Sequence, residues 1–420
     1  MKEKIIVKNF SVIKDIELEI NNINIIIGEQ ATGKSVLAKL IHFLRTISGD
    51  ISSGIMNNQN YSQINEKILT VFSNLFPSYF WKENTFNIKY YFSEDKFIYI
   101  YNSKNKIHIV FSENIEQKIK TLIKEFETER EEYFSLKSKI EIQKELAVFL
   151  YGNIKYSAFF PAGRTFFSSY EQNIYNIQKE GASNDYFMNL FGGIFNNFKH
   201  IQLKDNIPNF NKLEKLMGII LKGNVIFNKN DVWFVSEKNK YPLNLASSGQ
   251  QELTPLLHVL ISAYNYYFDE NTFQIIEEPE AHIFPSTQKK LVEFFAAIYN
   301  YSQKRTGYFL TTHSPYILTC FNNLIQAQNT YEVIINKKDK NEISVDEFNK
   351  LNEKLDNTIS TEKRINFNNI SVFLMKNGKL HDTKDYENKL LDSDSIDKVS
   401  EDISEEFNNL LDIEFYGDKE

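Results

Sequence analysis

The chain has 420 residues and a hydrophobic content of 42%, which suffices for a sizeable core and excludes disorder throughout its length. Its net charge of −7 argues against coating nucleic acid through bulk charge, although a local basic groove stays compatible with it. A single cysteine excludes an internal disulfide framework. We find no signal-peptide-like start and no apolar run of the roughly 18 residues that span a bilayer. We therefore expect a soluble, cytoplasmic protein without a membrane partner.

The first 45 residues predict a strand, a glycine loop and a helix in succession. Apolar and polar residues alternate over residues 4–20, around a turn near Ser11. A short apolar run at residues 23–27 ends on Gly28, and apolar residues then recur at helical spacing over residues 36–44. Between that strand and that helix stands the octet GEQATGKS, which matches the P-loop pattern.

The octet brings together groups that bind phosphate. Gly28 and Gly33 let the backbone fold tightly enough for successive N–H groups to point at one phosphate. Lys34 adds a positive charge, the Ser35 hydroxyl is a ligand for Mg²⁺, and the following helix directs its positive dipole end to the same place. A chance turn is a poor alternative because the strand and the helix flank it. We expect ATP and Mg²⁺ to be bound here by Gly28, Glu29, Gln30, Ala31, Thr32, Gly33, Lys34, Ser35 and Val36.

Residues 86–111 predict an antiparallel meander, because three segments of period-2 alternation are separated by polar breaks. From residue 115 to residue 147 the sequence becomes charged, and its apolar residues keep helical spacing with an interruption at Glu129. Two interpretations of this insertion stay open. It is either a helical hairpin packed on the body of the protein or a short coiled-coil arm.

The rest of the chain predicts strands and helices in alternation. Outside the motifs described below, five apolar segments are strand candidates: 157–160, 225–227, 232–235, 331–335 and 370–375. The first ends at Pro161-Ala162-Gly163-Arg164, and a helical stretch follows to about residue 221. The second and third predict a hairpin, and an acidic helical tail follows the last.

Two adjacent carboxylates, Glu277 and Glu278, follow a mostly apolar strand that begins near Phe273. Such a strand delivers them to the carboxyl edge of a parallel sheet, where the P-loop also lies. There Glu277 can hold Mg²⁺ directly or through water, and Glu278 can orient and polarise the water that attacks ATP. The alternative is a strand end with solvated charges.

The segment Ser247-Ser248-Gly249-Gln250 opens a helix with an apolar face. Small residues at a helix start form an anion site from free N–H groups. Because the P-loop already holds the phosphates of its own chain, this second site is useful only if it closes on the nucleotide of a second chain. An ordinary N-cap by Ser247 or Ser248 is the alternative.

A further apolar strand ends at His313, within the run Thr311-Thr312-His313-Ser314-Pro315. It reaches the same sheet edge, where His313 could hydrogen-bond the γ-phosphate. A lone histidine after a strand is more often structural than catalytic. Its position after the P-loop, the Ser-Ser-Gly-Gln segment and the paired glutamates favours the catalytic interpretation.

In that order, the four motifs resemble those of ATP-binding cassette (ABC) ATPases, in particular their soluble SMC/RecF/OLD-like branch. The chain is most similar to the OLD-type AAA ATPase domains, which are common in bacterial anti-phage systems such as Septu and PARIS. The resemblance covers about residues 1–45 and 156–320. Four runs carry it: VKNF (7–10), FPAGR (160–164), IIEEPEAHIFP (275–285) and TTHSP (311–315).

The resemblance implies a role for each motif. It places Lys34 and Ser35 on phosphate and Mg²⁺, Glu277 on the metal, Glu278 as the catalytic carboxylate and His313 as the switch. It makes the run Ser247, Ser248, Gly249 and Gln250 a signature that acts on a second chain. Two departures exist, since Glu277 replaces the more widespread Asp and transporters have Ser-Gly-Gly-Gln at the signature. Gln172 and Arg164 are both candidates for a further phosphate-facing residue.

The predicted fold class is α/β, an ABC-type ATPase head of the P-loop NTPase class with an antiparallel β subdomain and an inserted helical or short coiled-coil segment. We expect an N-terminal lobe with the P-loop, the insertion, a C-terminal lobe with the signature, Walker B motif and His switch, and an extension packing on the ATPase. Their predicted ranges are 1–111, 112–152, 153–345 and 346–420. Asp392-Ser393-Asp394 has the spacing of a Toprim motif, but no apolar strand precedes it, so we expect no second catalytic centre.

Two functional hypotheses follow. In the first, the chain hydrolyses ATP to ADP and phosphate and acts as a dimerising sensor or scaffold in prokaryotic anti-phage defence. Its partners are then a second copy and a separate effector, a nuclease or toxin encoded nearby. The alternative is a RecF-like DNA repair or recombination ATPase that binds duplex DNA. The insertion offers lysines for that purpose, interleaved with glutamates: Lys118, Lys120, Lys124, Lys137, Lys139 and Lys144.

Overall fold

The computed structural model describes residues 3–81, 85–104, 106–131, 139–152, 154–169, 185–227, 231–237, 239–392 and 405–411. Their strands are β1 (Lys4–Phe10), β2 (Ile13–Glu19), β3 (Ile23–Ile27), β4 (Asn87–Tyr91), β5 (Phe97–Ser103), β6 (Lys106–Phe111), β7 (Ile154–Phe160), β8 (Asn224–Phe227), β9 (Val232–Val235), β10 (Lys240–Pro242), β11 (Asn271–Glu277), β12 (Thr306–Thr312), β13 (Ile370–Lys376), β14 (Lys379–Asp382), β15 (Lys384–Asp385) and β16 (Leu390–Leu391).

The α-helices that pack around these strands are α1 (Lys34–Met56), α2 (Tyr61–Leu75), α3 (Glu113–Glu131), α4 (Lys139–Tyr151), α5 (Thr165–Ser169), α6 (Tyr186–Lys199), α7 (Phe210–Leu221), α8 (Ser248–Tyr266), α9 (Pro285–Tyr301), α10 (Pro315–Asp339) and α11 (Val345–Thr358). In the described part of the chain, no helix is both long enough and apolar enough to cross a membrane.

One large sheet organises the fold. It has 11 strands in the order β6-β5-β4-β1-β2-β14-β13-β3-β12-β11-β7. Strands β13, β3, β12, β11 and β7 run parallel to one another, whereas β6, β5, β4, β1 and β2 pair antiparallel. Strand β14 joins the two halves, antiparallel to β13 and parallel to β2. The predicted α/β class is confirmed, and the predicted meander forms β4 to β6.

Strand β3 is apolar almost throughout because helices cover both faces of the sheet at this point. All five of its residues are buried, as expected for a central parallel strand. Ile26 packs into a core with α1 and α2, whereas Ile25 and Ile27 pack into a second core with α8, α9 and α10. The sheet therefore separates two hydrophobic cores, and β3 contributes to both.

The insertion predicted at 112–152 contains helices α3 and α4, which lie against the body of the protein. Ile119 and Leu122 of α3 and Leu146 of α4 are buried in the core that α1 shares. The Tyr151 hydroxyl donates a hydrogen bond to the carbonyl oxygen of Leu44, at 2.7 Å. The described part of the insertion thus favours the packed hairpin over a projecting arm. Residues 132–138 lie outside that part.

Two of the remaining strand predictions have opposite outcomes. The hairpin predicted at 225–235 is confirmed, because β8 and β9 pair antiparallel and β10 adds a third strand. The strand predicted at 331–335 is wrong, since these residues belong to α10. The β-branched residues there favour a strand locally. The buried residues of α10 nevertheless recur at helical spacing, and this face decides the conformation.

The segment predicted as an extension, residues 346–420, enters the central sheet. Its strand candidate at 370–375 is confirmed as β13, which lies between β3 and β14. The side chains of Ile370, Val372 and Met375 are buried. The sheet that carries the P-loop strand is therefore completed from the C-terminal part of the chain. Asp392 is described, whereas the other two residues of the Asp392-Ser393-Asp394 run lie outside the described residues.

Candidate functional site

The parallel half of the sheet brings the sequence motifs to one edge. Parallel strands end on the same side, and ligands bind beyond their carboxyl ends. The P-loop follows β3, the Glu277–Glu278 pair ends β11, and His313 follows β12. Since β12 lies between β3 and β11, the His313 side chain stands between the P-loop and the paired glutamates.

The P-loop holds its own lysine. The Lys34 ammonium group donates hydrogen bonds to the carbonyl oxygens of Gly28, at 2.8 Å, and Glu29, at 2.7 Å. The side chain is buried, and burial lowers the pKa of Lys34. The Thr32 hydroxyl also donates to the Glu29 carbonyl, at 2.8 Å. These contacts close the loop around the ammonium group, at the start of α1.

Both P-loop glycines are required by their surroundings. A Cβ atom on Gly28 would stand 2.4 Å from the carbonyl oxygen of Met375 in β13. Gly33 has a φ of +107° and precedes α1, and a Cβ there would stand 2.9 Å from the Met375 side chain. A left-handed φ of this kind is accessible to glycine at little cost. The shape of the loop therefore depends on close packing against β13.

Glu277 and Ser35 form an oxygen-rich pair suited to a magnesium ion. The Ser35 hydroxyl donates a hydrogen bond to the Glu277 carboxylate. The Glu277 side chain is buried, which raises its pKa, and its Oε1 atom has no hydrogen-bond partner among the described residues. A buried carboxylate oxygen without a partner is costly, and Mg²⁺ prefers oxygen ligands. The residues present therefore fit a magnesium site.

Glu278 and His313 are in direct contact. The Glu278 Oε1 atom lies 3.1 Å from His313 Nε2, and the other ring nitrogen of His313 lies 3.4 Å from the Lys34 ammonium group. The Glu278 side chain is 37% exposed, so water can reach its carboxylate. Its backbone has a φ of +42°, an unusual value for a residue other than glycine. Strain of this kind is often found at functional sites.

Glu280 also belongs to the site, although the sequence reasoning missed it. Its Oε1 atom accepts hydrogen bonds from the Thr312 hydroxyl, at 2.6 Å, and from the His313 backbone N–H, at 2.7 Å. Burial raises the pKa of Glu280. This carboxylate thus ties the loop after β11 to the loop after β12. A third carboxylate so soon after Glu277 and Glu278 was the only available signal.

The signature segment caps its own helix. The Ser247 hydroxyl accepts a hydrogen bond from the Gln250 N–H, and the Gln250 side chain accepts one from the Ser247 N–H, which makes a capping box. The predicted N-cap is therefore present. The side chains of Ser247 and Ser248 are exposed. A Cβ atom on Gly249 would stand 3.0 Å from the His282 carbonyl oxygen, so this turn adjoins the loop that follows Glu280.

The two candidates for a further phosphate-facing residue have different outcomes. Gln172 lies outside the described residues. The Arg164 side chain is wholly buried, and its guanidinium group donates to backbone carbonyl oxygens, including those of Glu277 and Glu278. In this structure Arg164 therefore supports the paired glutamates from within the protein and does not face the P-loop surface.

A cavity of about 640 Å³ adjoins the P-loop on the side of the β1–β2 turn. It lies between that turn, the P-loop and the turn that joins β13 to β14. Val12, which is 48% exposed, presents an apolar side chain to it. Its lining is Asn9, Ser11, Val12, Ile13, Lys14, Ala31, Thr32, Asn377 and Gly378. A partly apolar cavity of this size is large enough for a small ligand.

Comparison with known proteins gives one family match. Residues 1–318 match the family described as AAA ATPase domain. Similar solved structures include the SMC head bound to the C-winged helix domain of ScpA (13% identity, TM-score 0.42, 92% of this chain and 98% of that chain). The chain is also similar to the SMC head domain from Thermotoga maritima, with 11% identity, a TM-score of 0.36 and coverage of 76% of this chain and 92% of that chain. The recombination mediator protein RecF-ATPrS of the RecFOR pathway has 12% identity, a TM-score of 0.38 and coverage of 91% of this chain and 97% of that chain. No curated protein matches the chain.

Proposed function

The chain belongs to the AAA ATPase domain family, and from this premise we propose that it binds ATP at the P-loop edge of the sheet and hydrolyses it to ADP and phosphate. The observation that carries the proposal is the contact of Glu278 with His313, whose ring also lies beside Lys34. A water-accessible carboxylate next to a phosphate loop has the chemistry of a general base.

In this mechanism each residue acts on a different part of the reaction. The P-loop N–H groups and Lys34 bind phosphate oxygens, with Lys34 exchanging the carbonyls of Gly28 and Glu29 for them. Ser35 and Glu277 would hold Mg²⁺, which neutralises charge on the phosphates when it is bound. Glu278 orients the attacking water and accepts its proton. His313 positions the Glu278 carboxylate and can donate a hydrogen bond to the phosphate that is released.

Two substitutions separate binding from hydrolysis. Glu278→Gln keeps the shape of the side chain and removes its basicity, so we expect ATP binding to persist while turnover falls at least about a hundredfold. Lys34→Ala removes the phosphate contact, so binding itself should be lost. Equilibrium binding of a labelled ATP analogue and release of phosphate measure the two effects. Unchanged turnover in Glu278→Gln would contradict the assignment of this residue.

We propose further that two chains close around two nucleotides, with Ser247, Ser248, Gly249 and Gln250 of one chain facing the ATP of the other. The exposed side chains of Ser247 and Ser248 support this, because the start of α8 presents the positive end of its helix dipole where an anion can approach. Light scattering tests the idea. Glu278→Gln should double in mass when ATP is added, and Lys34→Ala should not. A mass that ignores ATP in both variants would reject the two-chain mechanism.

For the cellular role, we propose a sensor or scaffold in prokaryotic anti-phage defence that controls a separate effector, either a nuclease or a toxin. Its support is the resemblance of residues 275–285 and 311–315 to OLD-type domains. The test is phage challenge of cells that carry the chain with its neighbouring genes. Protection should disappear with Glu278→Gln or Lys34→Ala. Protection by either variant equal to that of the unmodified chain would reject the role of ATP in defence.

The alternative, a RecF-like ATPase that binds duplex DNA, has less support from the insertion. Lys118 forms an ion pair with Glu145, and Lys120 forms one with Glu116. These pairs neutralise charge that a DNA-binding surface would need. DNA-stimulated ATP hydrolysis that falls steeply with salt concentration would nevertheless favour this function over defence.

A further inference from the structure

Arg164 and Glu252 form an ion pair in the interior of the protein. Arg164 follows β7, and Glu252 lies in the first turns of α8. The Arg164 Nη2 atom is 3.0 Å from the Glu252 Oε1 atom, and both side chains are 0% exposed. Burial of two charges carries a large desolvation cost, and such a pair is weak support for stability. Stability alone is therefore a weak explanation for this pair.

The Arg164 guanidinium group reaches the two catalytic positions through their backbone. It donates hydrogen bonds to the carbonyl oxygens of Glu277, at 2.8 Å, Glu278, at 3.0 Å, and Pro161, at 2.7 Å. The planar fork of arginine can serve several acceptors at fixed angles, which lysine cannot do. Arg164 therefore sets the path of the backbone through the paired glutamates.

Glu252 holds the arginine in place. Its two carboxylate oxygens accept the backbone N–H of Arg164, at 3.0 Å, and that of Thr165, at 2.8 Å, in addition to the ion pair. The carboxylate thus fixes both the backbone and the side chain of Arg164. Because Glu252 belongs to α8, these contacts connect this helix directly to Arg164.

The turn that Arg164 supports is strained. Glu278 has a φ of +42°, and a conformation of this kind persists only when its surroundings hold it. Its N–H donates to the Thr311 carbonyl oxygen at 2.9 Å, and its own carbonyl oxygen accepts from Arg164. The backbone of Glu278 is therefore held from both sides, and one of the two contacts comes from Arg164.

We infer that Arg164 and Glu252 are positioning residues for hydrolysis, and that they connect the start of α8 to the orientation of the Glu278 carboxylate. The inference rests on the proposed ATPase function. Contact of the Ser247–Gln250 segment with a second chain would act on α8 and, through Glu252 and Arg164, on the Glu278 turn. Engagement of the signature segment of one chain would then affect the placement of that chain's own catalytic carboxylate.

The test compares conservative variants of this pair with a matched control. Arg164→Lys keeps the charge and loses the fork, and Glu252→Gln keeps the shape and loses the charge. Arg364 serves as the control because it is also a buried arginine, pairs with Asp356 at 2.7 Å and donates to the Ile359 carbonyl oxygen. The variant Arg364→Lys therefore reports the general cost of removing a buried guanidinium group.

We expect kcat to fall about tenfold or more in Arg164→Lys and Glu252→Gln, because a displaced catalytic group loses effectiveness steeply. Binding of an ATP analogue should stay within about twofold of the unmodified chain, since neither residue contacts the P-loop. In Arg364→Lys both quantities should be unchanged even where Tm falls. The double variant Arg164→Lys/Glu252→Gln should lose little more than Arg164→Lys alone, because the two residues act as a unit.

Three outcomes would overturn the inference. The first is an unchanged kcat in both single variants while the unmodified chain hydrolyses ATP. The second is a loss of both kcat and ATP affinity in the variants of the pair that is no larger than the loss in an Arg364→Lys variant of the same Tm. The pair would then be purely structural. The third is the absence of hydrolysis in the unmodified, folded chain, which overturns the proposed function as well and is thereby distinguished from the other two.

Discussion

Three glutamates within four positions of the chain have three different surroundings. Glu277 is buried beside Ser35, Glu278 reaches water on a strained turn, and Glu280 is half-buried beneath the loop of His313. The change of direction at Glu278 separates their side chains, so neighbours in sequence do not share an environment. Each residue can therefore be tested by a substitution that affects its own contacts.

Removal of the Glu280 carboxylate should loosen the His313 loop. In Glu280→Ala the Thr312 hydroxyl and the His313 N–H lose their acceptor, so we expect the free energy of unfolding to fall by about 2 kcal/mol. Glu280→Gln retains an acceptor oxygen, and its loss should stay below about 1 kcal/mol. Urea denaturation measures both values. Equal losses in the two variants would show that the negative charge matters and the hydrogen bonds do not.

The pH dependence of stability should carry the signature of Glu280. Burial raises its pKa above the ordinary value of 4.5, so the folded chain keeps a proton at pH values where the unfolded chain has released it. The unfavourable contribution of this carboxylate is complete above its folded pKa and disappears as pH falls below 4.5. The contribution of Glu280 to the free energy of unfolding therefore becomes less unfavourable as the pH falls. Glu280→Gln should flatten this part of the profile relative to the unmodified chain.

At the scale of elements, the sequence predicts which residues lie at the carboxyl edge of the sheet better than it predicts the contacts between the loops that carry them. The P-loop, Glu277, Glu278 and His313 each follow an apolar strand, and parallel strands bring their ends together. Arg164 and Glu252 are 88 positions apart in the sequence. Nothing in the local sequence around either residue predicts that the two pair. The wrong strand prediction at 331–335 has the same cause. The conformation of this segment is determined by the buried face of a helix, which local composition does not show.

Helix α8 allows capping to be separated from anion binding. Aspartate is as good an N-cap as serine, so Ser247→Asp should keep the free energy of unfolding within about 0.5 kcal/mol of the unmodified chain. Its negative charge would repel a phosphate at the helix start. In the Glu278→Gln background, we therefore expect Ser247→Asp to abolish the ATP-dependent doubling of mass. Persistent doubling would show that this segment does not meet the nucleotide of a second chain.

At the scale of the whole molecule, the family match and the folded unit have different limits. The match ends at residue 318, whereas the sheet includes β13 and β14, which follow it. Met375 of β13 packs against Gly28 and Gly33. The predicted boundary at residue 345 misses this because a short apolar strand after a helical segment looks like an appendage. Its pairing with β3 depends on almost the full length of the chain.

A truncation series tests how far the folded unit extends. A chain ending at residue 345 loses β13, exposes the edge of β3 and should fail to give a cooperative unfolding transition. A chain ending at Asp392 retains both strands and should bind an ATP analogue like the full chain. Circular dichroism and analogue binding measure these outcomes. Normal binding by the shorter chain would show that β13 is dispensable for the P-loop.

The position of β13 also determines when the sheet can be completed during synthesis of the chain. Ile23 pairs with Ile370, so the neighbour of the P-loop strand leaves the ribosome long after that strand itself. Closing so long a chain segment carries an entropic cost and slows folding. A nascent chain would therefore carry its phosphate-binding sequence for most of its synthesis without the packing that shapes it. Nucleotide binding would then begin only when the chain is nearly complete.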